Sequence, residues 1–152
     1  MDTVSSHELE KILKAVEEAL QHHTQWHEDL IRRLLCRLAM PESMVAKDAH
    51  RHCAFGTWFY GIGQSCVEKI PVLKTIGELH KALHDSAREV CQKIRATGFV
   101  AEVDYDAFLR QLTALRSELK TFKSRIGYTL EDIQAHEGFS TSALLGQNGD
   151  SA

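Results

Sequence analysis

The sequence predicts an all-α fold, a four-helix-type bundle with an additional short helix, on three observations. Apolar residues recur at three- and four-residue spacing through three long stretches. Helix-capping residues stand at the ends of those stretches. Only two prolines and nine glycines interrupt 152 residues, a length that suits one domain with a hydrophobic core of its own.

The first helix opens with a capping box, Ser5-x-x-Glu8, in which each side chain satisfies a free backbone N–H of the other's turn. Its stripe is Ile12, Leu13, Val16, Leu20, Leu30, Leu34 and Leu38, and it is expected to run to about Met40, where Pro41 ends it. Residues 41–70 lose the long period. They hold His50, His52, Cys53 and the aromatic cluster Phe55, Trp58, Phe59 and Tyr60, then Gly61 and Gly63, and predict short helices joined by turns. Pro71 suits the first turn of the next helix, expected over about 71–96, with Leu73, Ile76, Leu79, Leu83, Val90 and Ile94 inward and a stop at Thr97-Gly98. The last helix is expected to open at Asp104 as N-cap. It carries Tyr105, Phe108, Leu112, Leu115, Leu119, Phe122 and Ile126, a seam regular enough to want helical neighbours. The expected domain is 1–137, with 138–152 a flexible C-terminal tail because no usable pattern remains there.

Composition narrows the function classes. A formal charge of −3 gives none of the basic footprint that phosphate neutralisation needs, so no nucleic-acid partner is expected. The acidic, polar N-terminus lacks a secretory signal, and no apolar run reaches spanning length, so a cytoplasmic protein away from the membrane is expected. Cys36, Cys53, Cys66 and Cys91 are too widely spaced for a Cys-x-x-Cys motif. In that compartment they are free thiols or metal ligands.

Nine histidines are the feature that composition leaves unexplained. His80 and His84 lie one turn apart on one helix face and border the apolar stripe, where two imidazoles can meet one metal ion. The spacing alone suits two surface histidines somewhat better than a metal pair, and the stripe around them changes that balance. A neutral imidazole at the edge of a core needs a partner, and zinc is one. His23 and His27 continue the stripe of the first helix, while His22 lies off it. His23 points into the bundle, and His27 reads better as a satisfied core or boundary histidine. Cys53 sits among aromatics with Gly56 three residues on, which permits close backbone approach. Cys36 and Cys91 read as small buried hydrophobes, and Cys66 near a turn is uninformative.

Taken in order, His23-x-x-Trp26, Cys53-x-Phe55-Gly56-x-Trp58 and His80-x3-His84 resemble the chemoreceptor zinc-binding (CZB) domain family, over roughly residues 8–130. The resemblance implies a stand-alone member with one zinc per chain, its ligands His23, Cys53, His80 and His84, and Trp26, Phe55 and Trp58 as packing shell. It also implies a homodimer that signals to a partner such as a diguanylate cyclase or a chemoreceptor. After Leu130 no cyclase sequence or long signalling coiled coil follows, which leaves the route of output open.

The function that follows is a zinc-binding regulatory or sensor domain responding to zinc or to oxidation of a zinc-bound cysteine. Its output would be of chemotaxis or cyclic-di-GMP type. The alternative is a structural, zinc-stabilised dimerisation or interaction module. An enzyme is not expected. Three histidines and a cysteine close a tetrahedron that catalytic zinc would keep open. None of the nine histidines has a glutamate three residues before it, as a di-iron bundle needs, and His-Glu-x-x-His is absent.

Overall fold

In a computed structural model the chain is described over residues 3–146, with side chains up to residue 136. Among the described residues there are seven helices and no strand. Three are long: α1 (Ser6–Leu35), α6 (Val72–Thr97) and α7 (Glu102–Gly146). Between α1 and α6 the chain makes four short ones: α2 (Glu42–Val45), α3 (Ala49–His52), α4 (Ala54–Tyr60) and α5 (Gln64–Val67). This short-helix segment fills the fourth position of the bundle, α2 and α3 packing on α6 and α4 on α1.

The inward stripes are the expected ones except past the end of α1, where Leu38 is 41% exposed and Cys36, expected buried, is exposed as well. Ile12, Val16 and Leu30 of α1, Leu73, Ile76, Leu83 and Val90 of α6, and Phe108, Leu112, Leu115 and Leu119 of α7 are at most 2% exposed. Burying each such side chain contributes about 1.5–3 kcal/mol, which makes this shared seam the main hold on the three long helices. Polar ties reinforce it, with Arg116 of α7 donating to Thr24 Oγ1 at 3.0 Å and Lys93 of α6 reaching Asp104 of α7 at 2.8 Å.

The helix ends show where local chemistry acts. The Ser5–Glu8 capping box is present in both directions. Gly98 closes α6 at φ 79°, the left-handed conformation that glycine adopts without strain. The expected end of α1 at Met40 is corrected to Leu35. Leu38 N–H donates to the Arg33 carbonyl and Arg37 N–H to that of Leu34, with Arg37 at φ 54°, a Schellman close made without glycine. Helix α7 opens at Glu102, two residues ahead of Asp104, whose carboxylate is taken by Lys93 instead of capping. Of the tail expected over 138–152, residues 138–146 continue the helical backbone of α7, and 147–152 lie outside the described residues. No described helix is long and apolar enough to cross a membrane.

Candidate metal centre

His23, Cys53, His80 and His84 come from three separate stretches of chain and converge, each offering a donor atom within 4.8 Å of the other three. That spread is on the scale of a single ion with nitrogen and sulfur donors at about 2.0–2.3 Å. The three imidazoles stand edge to face, with ring centres 5.0 Å apart for His23–His80, 5.8 Å for His23–His84 and 4.6 Å for His80–His84. Cys53 Sγ lies 3.1 Å from His80 Nε2.

Each donor is placed by its local fold. The Nδ1–H of His23 donates to the carbonyl of Ala19, one turn back, at 2.7 Å, which fixes the tautomer and leaves Nε2 with a free lone pair. His80 and His84 hold adjacent turns of α6, a helix locked by its core stripe. Cys53 is C-cap of α3 and N-cap of α4 at once, and its sulfur accepts the N–H of Gly56 at 3.3 Å. Gly56 is required there: a Cβ would collide with the backbone carbonyl of His50. Trp26 packs on His84 with ring centres 5.2 Å apart, and Phe55 packs on His80 at 4.7 Å. Trp58 packs at a tilt on Phe55, with ring centres 5.9 Å apart, and backs the site through it.

The electrostatics favour a cation. His80 and His84 are 0% and 6% exposed. Burial, with like-charge repulsion from the neighbouring imidazoles, pushes His80 down to about 2 and His84 down to about 3. Burial lowers His23 as well, opposed by its bond to Ala19. All three therefore present neutral rings with lone pairs. Burial raises the Cys53 thiol, partly offset by the Gly56 N–H, so proton loss from sulfur calls for a positive partner.

The donor set fits a tetrahedral ion by another measure. His23 Nε2 and His84 Nε2 are buried with no hydrogen-bond partner, a state that costs about 1–3 kcal/mol per atom and that an ion relieves. His27 Nε2 and His50 Nδ1 are buried without partners too, so orphaned nitrogens alone do not define the ligand set. What separates the four is convergence, in which neither His27 nor His50 takes part. His27 packs on Phe108 and His50 on Tyr60. His22 and His52 are exposed, the latter paired with Asp48. The burial of His50 was not legible in the sequence, since no helical stripe in 41–70 could have exposed it.

The region that carries this site is similar to known proteins. A family model described as the chemoreceptor zinc-binding domain matches residues 23–91, a span that opens on His23 and contains all four residues. A curated relative, diguanylate cyclase DgcZ of Escherichia coli (strain K12), is 22% identical over 116 residues, which cover 76% of this chain and 39% of that protein. The chain thus spans well under half of that relative's length. The solved structure of the regulatory CZB domain of DgcZ superimposes with a TM-score of 0.68 at 21% identity, covering 78% of this chain and 98% of that one. The match is therefore to a regulatory domain and not to a catalytic one. Over residues 23–91 the chain is thus similar to the chemoreceptor zinc-binding domain family, and its all-α fold matches that of the solved regulatory domain.

Proposed function

We propose that the chain is a zinc-binding regulatory module in which His23, Cys53, His80 and His84 hold one zinc ion per chain. The observation that carries this reading is the convergence of three imidazoles and one thiol on a single point, with two ring nitrogens there otherwise unpartnered. A closed set of three nitrogens and one sulfur suits holding an ion and not activating a water. Such an ion ties α1, α6 and the Cys53 segment together, so its binding energy becomes folding energy. Analysis of purified single variants tests the ligand set. His23→Ala, Cys53→Ala, His80→Ala and His84→Ala should each lower zinc below one per chain, and His27→Ala and His52→Ala should keep it. The reverse pattern would overturn the assignment.

The regulatory step falls on Cys53, which alone among the four can change its chemistry. Attack of its thiolate on the chlorine of hypochlorous acid forms an S–Cl bond as the O–Cl bond breaks and hydroxide leaves; water then displaces chloride from sulfur, giving a sulfenic acid that is a weaker donor. The cysteine is oxidised and the chlorine reduced. The segment carrying Cys53 then loosens from α6, and a partner of diguanylate cyclase or chemoreceptor type reads the change. Brief, substoichiometric hypochlorite followed by mass spectrometry should find Cys53 modified first. Modification at Cys36 ahead of Cys53 with zinc retained would remove the redox role and leave zinc level as the stimulus.

A second reading, a zinc-stabilised dimerisation module, is favoured by apolar side chains left in solvent, among them Leu35, Leu38 and Phe99 at one end of the bundle. Light scattering at micromolar concentration should give a homodimer mass. A monomer would overturn the homodimer and with it this second reading, while metal analysis still judges zinc binding.

A further inference from the structure

The four donors differ in how solvent meets them. His80 and His23 are sealed, at 0% and 3% exposed, whereas Cys53 is only half-buried. A cleft of about 650 Å³ explains the difference. Trp26 and Arg33 of α1 line one side, Ser43 and Ala46 line the other, and Cys53 and His84 are reached from inside. Neither His23 nor His80 lines it. A second hollow nearby, about 270 Å³ beside Phe55 and Trp58, touches none of the four.

We infer that this cleft is the passage by which metal ions and small thiol-reactive molecules reach the centre, so that Cys53 and His84 are the first donors met and the last to let go. The inference rests on the metal site proposed above and adds its direction of exchange. The passage has one firm wall and one soft one. Helix α1 is held by its buried stripe from Leu9 to Leu30. The opposite wall is built from α2, α3 and the residues between them, helices of four residues each, too short to be stable by themselves. Two arginines pin its near end: Arg33 donates to the Ala39 carbonyl at 2.8 Å, and Arg95 of α6 donates to the Met40 carbonyl and to Glu42, both at 3.1 Å. Arg33 also carries an ion pair to Asp29 at 2.8 Å, and both residues line the cleft. The width of the opening is therefore set by contacts made outside the donor set, and a relaxed wall speeds exchange without altering a ligand.

The test fills the cleft from its exposed side. Ser43→Trp and Ala46→Phe should slow zinc transfer to the chromophoric chelator 4-(2-pyridylazo)resorcinol by about tenfold, a modest change in barrier, while zinc content stays unchanged. In the same as-purified proteins, alkylation of Cys53 by iodoacetamide should slow by a similar factor, read by mass spectrometry against the exposed Cys36 as internal standard. Thr113→Trp, in a shallow groove on α7, is the matched control and should change neither rate. Unchanged rates in both filled variants would overturn the proposal in favour of exit by opening elsewhere. Where a filled variant does not fold, the native chain decides. Cys53 should discriminate against a bulky maleimide relative to iodoacetamide far more than Cys36 does, and equal discrimination would overturn the passage. A chain that takes up no zinc overturns the functional reading, and alkylation at Cys53 still judges the passage.

Discussion

His23, His80 and His84 ride on helices of 30 and 26 residues, while Cys53 stands between helices of four and seven. The imidazoles are fixed by the same packing that fixes the core, so moving one means moving a whole stripe of buried side chains. The sulfur is held by the Gly56 N–H, a glycine-permitted approach to the His50 carbonyl and the packing of Phe55 on His80. The difference divides the centre into a frame that stays and a segment that can shift, and the one oxidisable donor lies on the segment.

Acid should strike the frame hardest. His80 and His84 are held neutral far below the ordinary 6.5, and His23 is lowered in the same direction. The unfolded chain takes up these protons below pH 6.5 and the folded chain does not. The stability that neutral rings confer is therefore complete above about pH 6.5 and is lost as pH falls toward about 3. Circular-dichroism melts in chelator should show the melting temperature dropping across that window. A flat profile would mean the rings are not buried as neutral groups.

Truncating Phe108, fully buried between Trp26 and His27, should cost about 3–5 kcal/mol in urea unfolding, as large-to-small core changes do. A cost under about 1 kcal/mol would show that the frame is not the rigid half. Gly56→Ala acts on the segment and should cost less, about 1–3 kcal/mol, because only the short α3 must give way. It should nonetheless weaken zinc binding in chelator competition, since Cys53 moves with it. Arg95→Ala removes one exposed pin of the wall and should lower stability by no more than about 1 kcal/mol. A much larger loss would place Arg95 in the frame.

The two halves were also unequally legible in the sequence. Long stripes of three- and four-residue spacing located α1, α6 and α7 and put His23, His80 and His84 at their inner edge. A periodic pattern averages over many residues and tolerates local exceptions. Helix ends depend on single residues, and α1 stops early because Arg37 takes a left-handed conformation normally left to glycine, which no residue type announces. In the segment, Cys53 was legible through Cys53-x-Phe55-Gly56-x-Trp58, a motif and not a period. Left unread were contacts made through backbone or across long separations: the Ala19 carbonyl behind His23, the His50 carbonyl over Gly56, and Arg95 on the Met40 carbonyl 55 residues away. Trp58 was expected in the packing shell of the site, and it touches the histidines only through Phe55.

The central claim is that frame and segment meet at one metal ion. X-ray absorption at the zinc edge of the as-purified protein, with metal content measured on the same sample, tests it most directly. The expected result is one zinc per chain with three nitrogen donors at about 2.0–2.1 Å and one sulfur at about 2.3 Å, the sulfur signal vanishing in Cys53→Ser. A nitrogen- and oxygen-only shell in the unaltered chain, or a sulfur signal that survives Cys53→Ser, would contradict it.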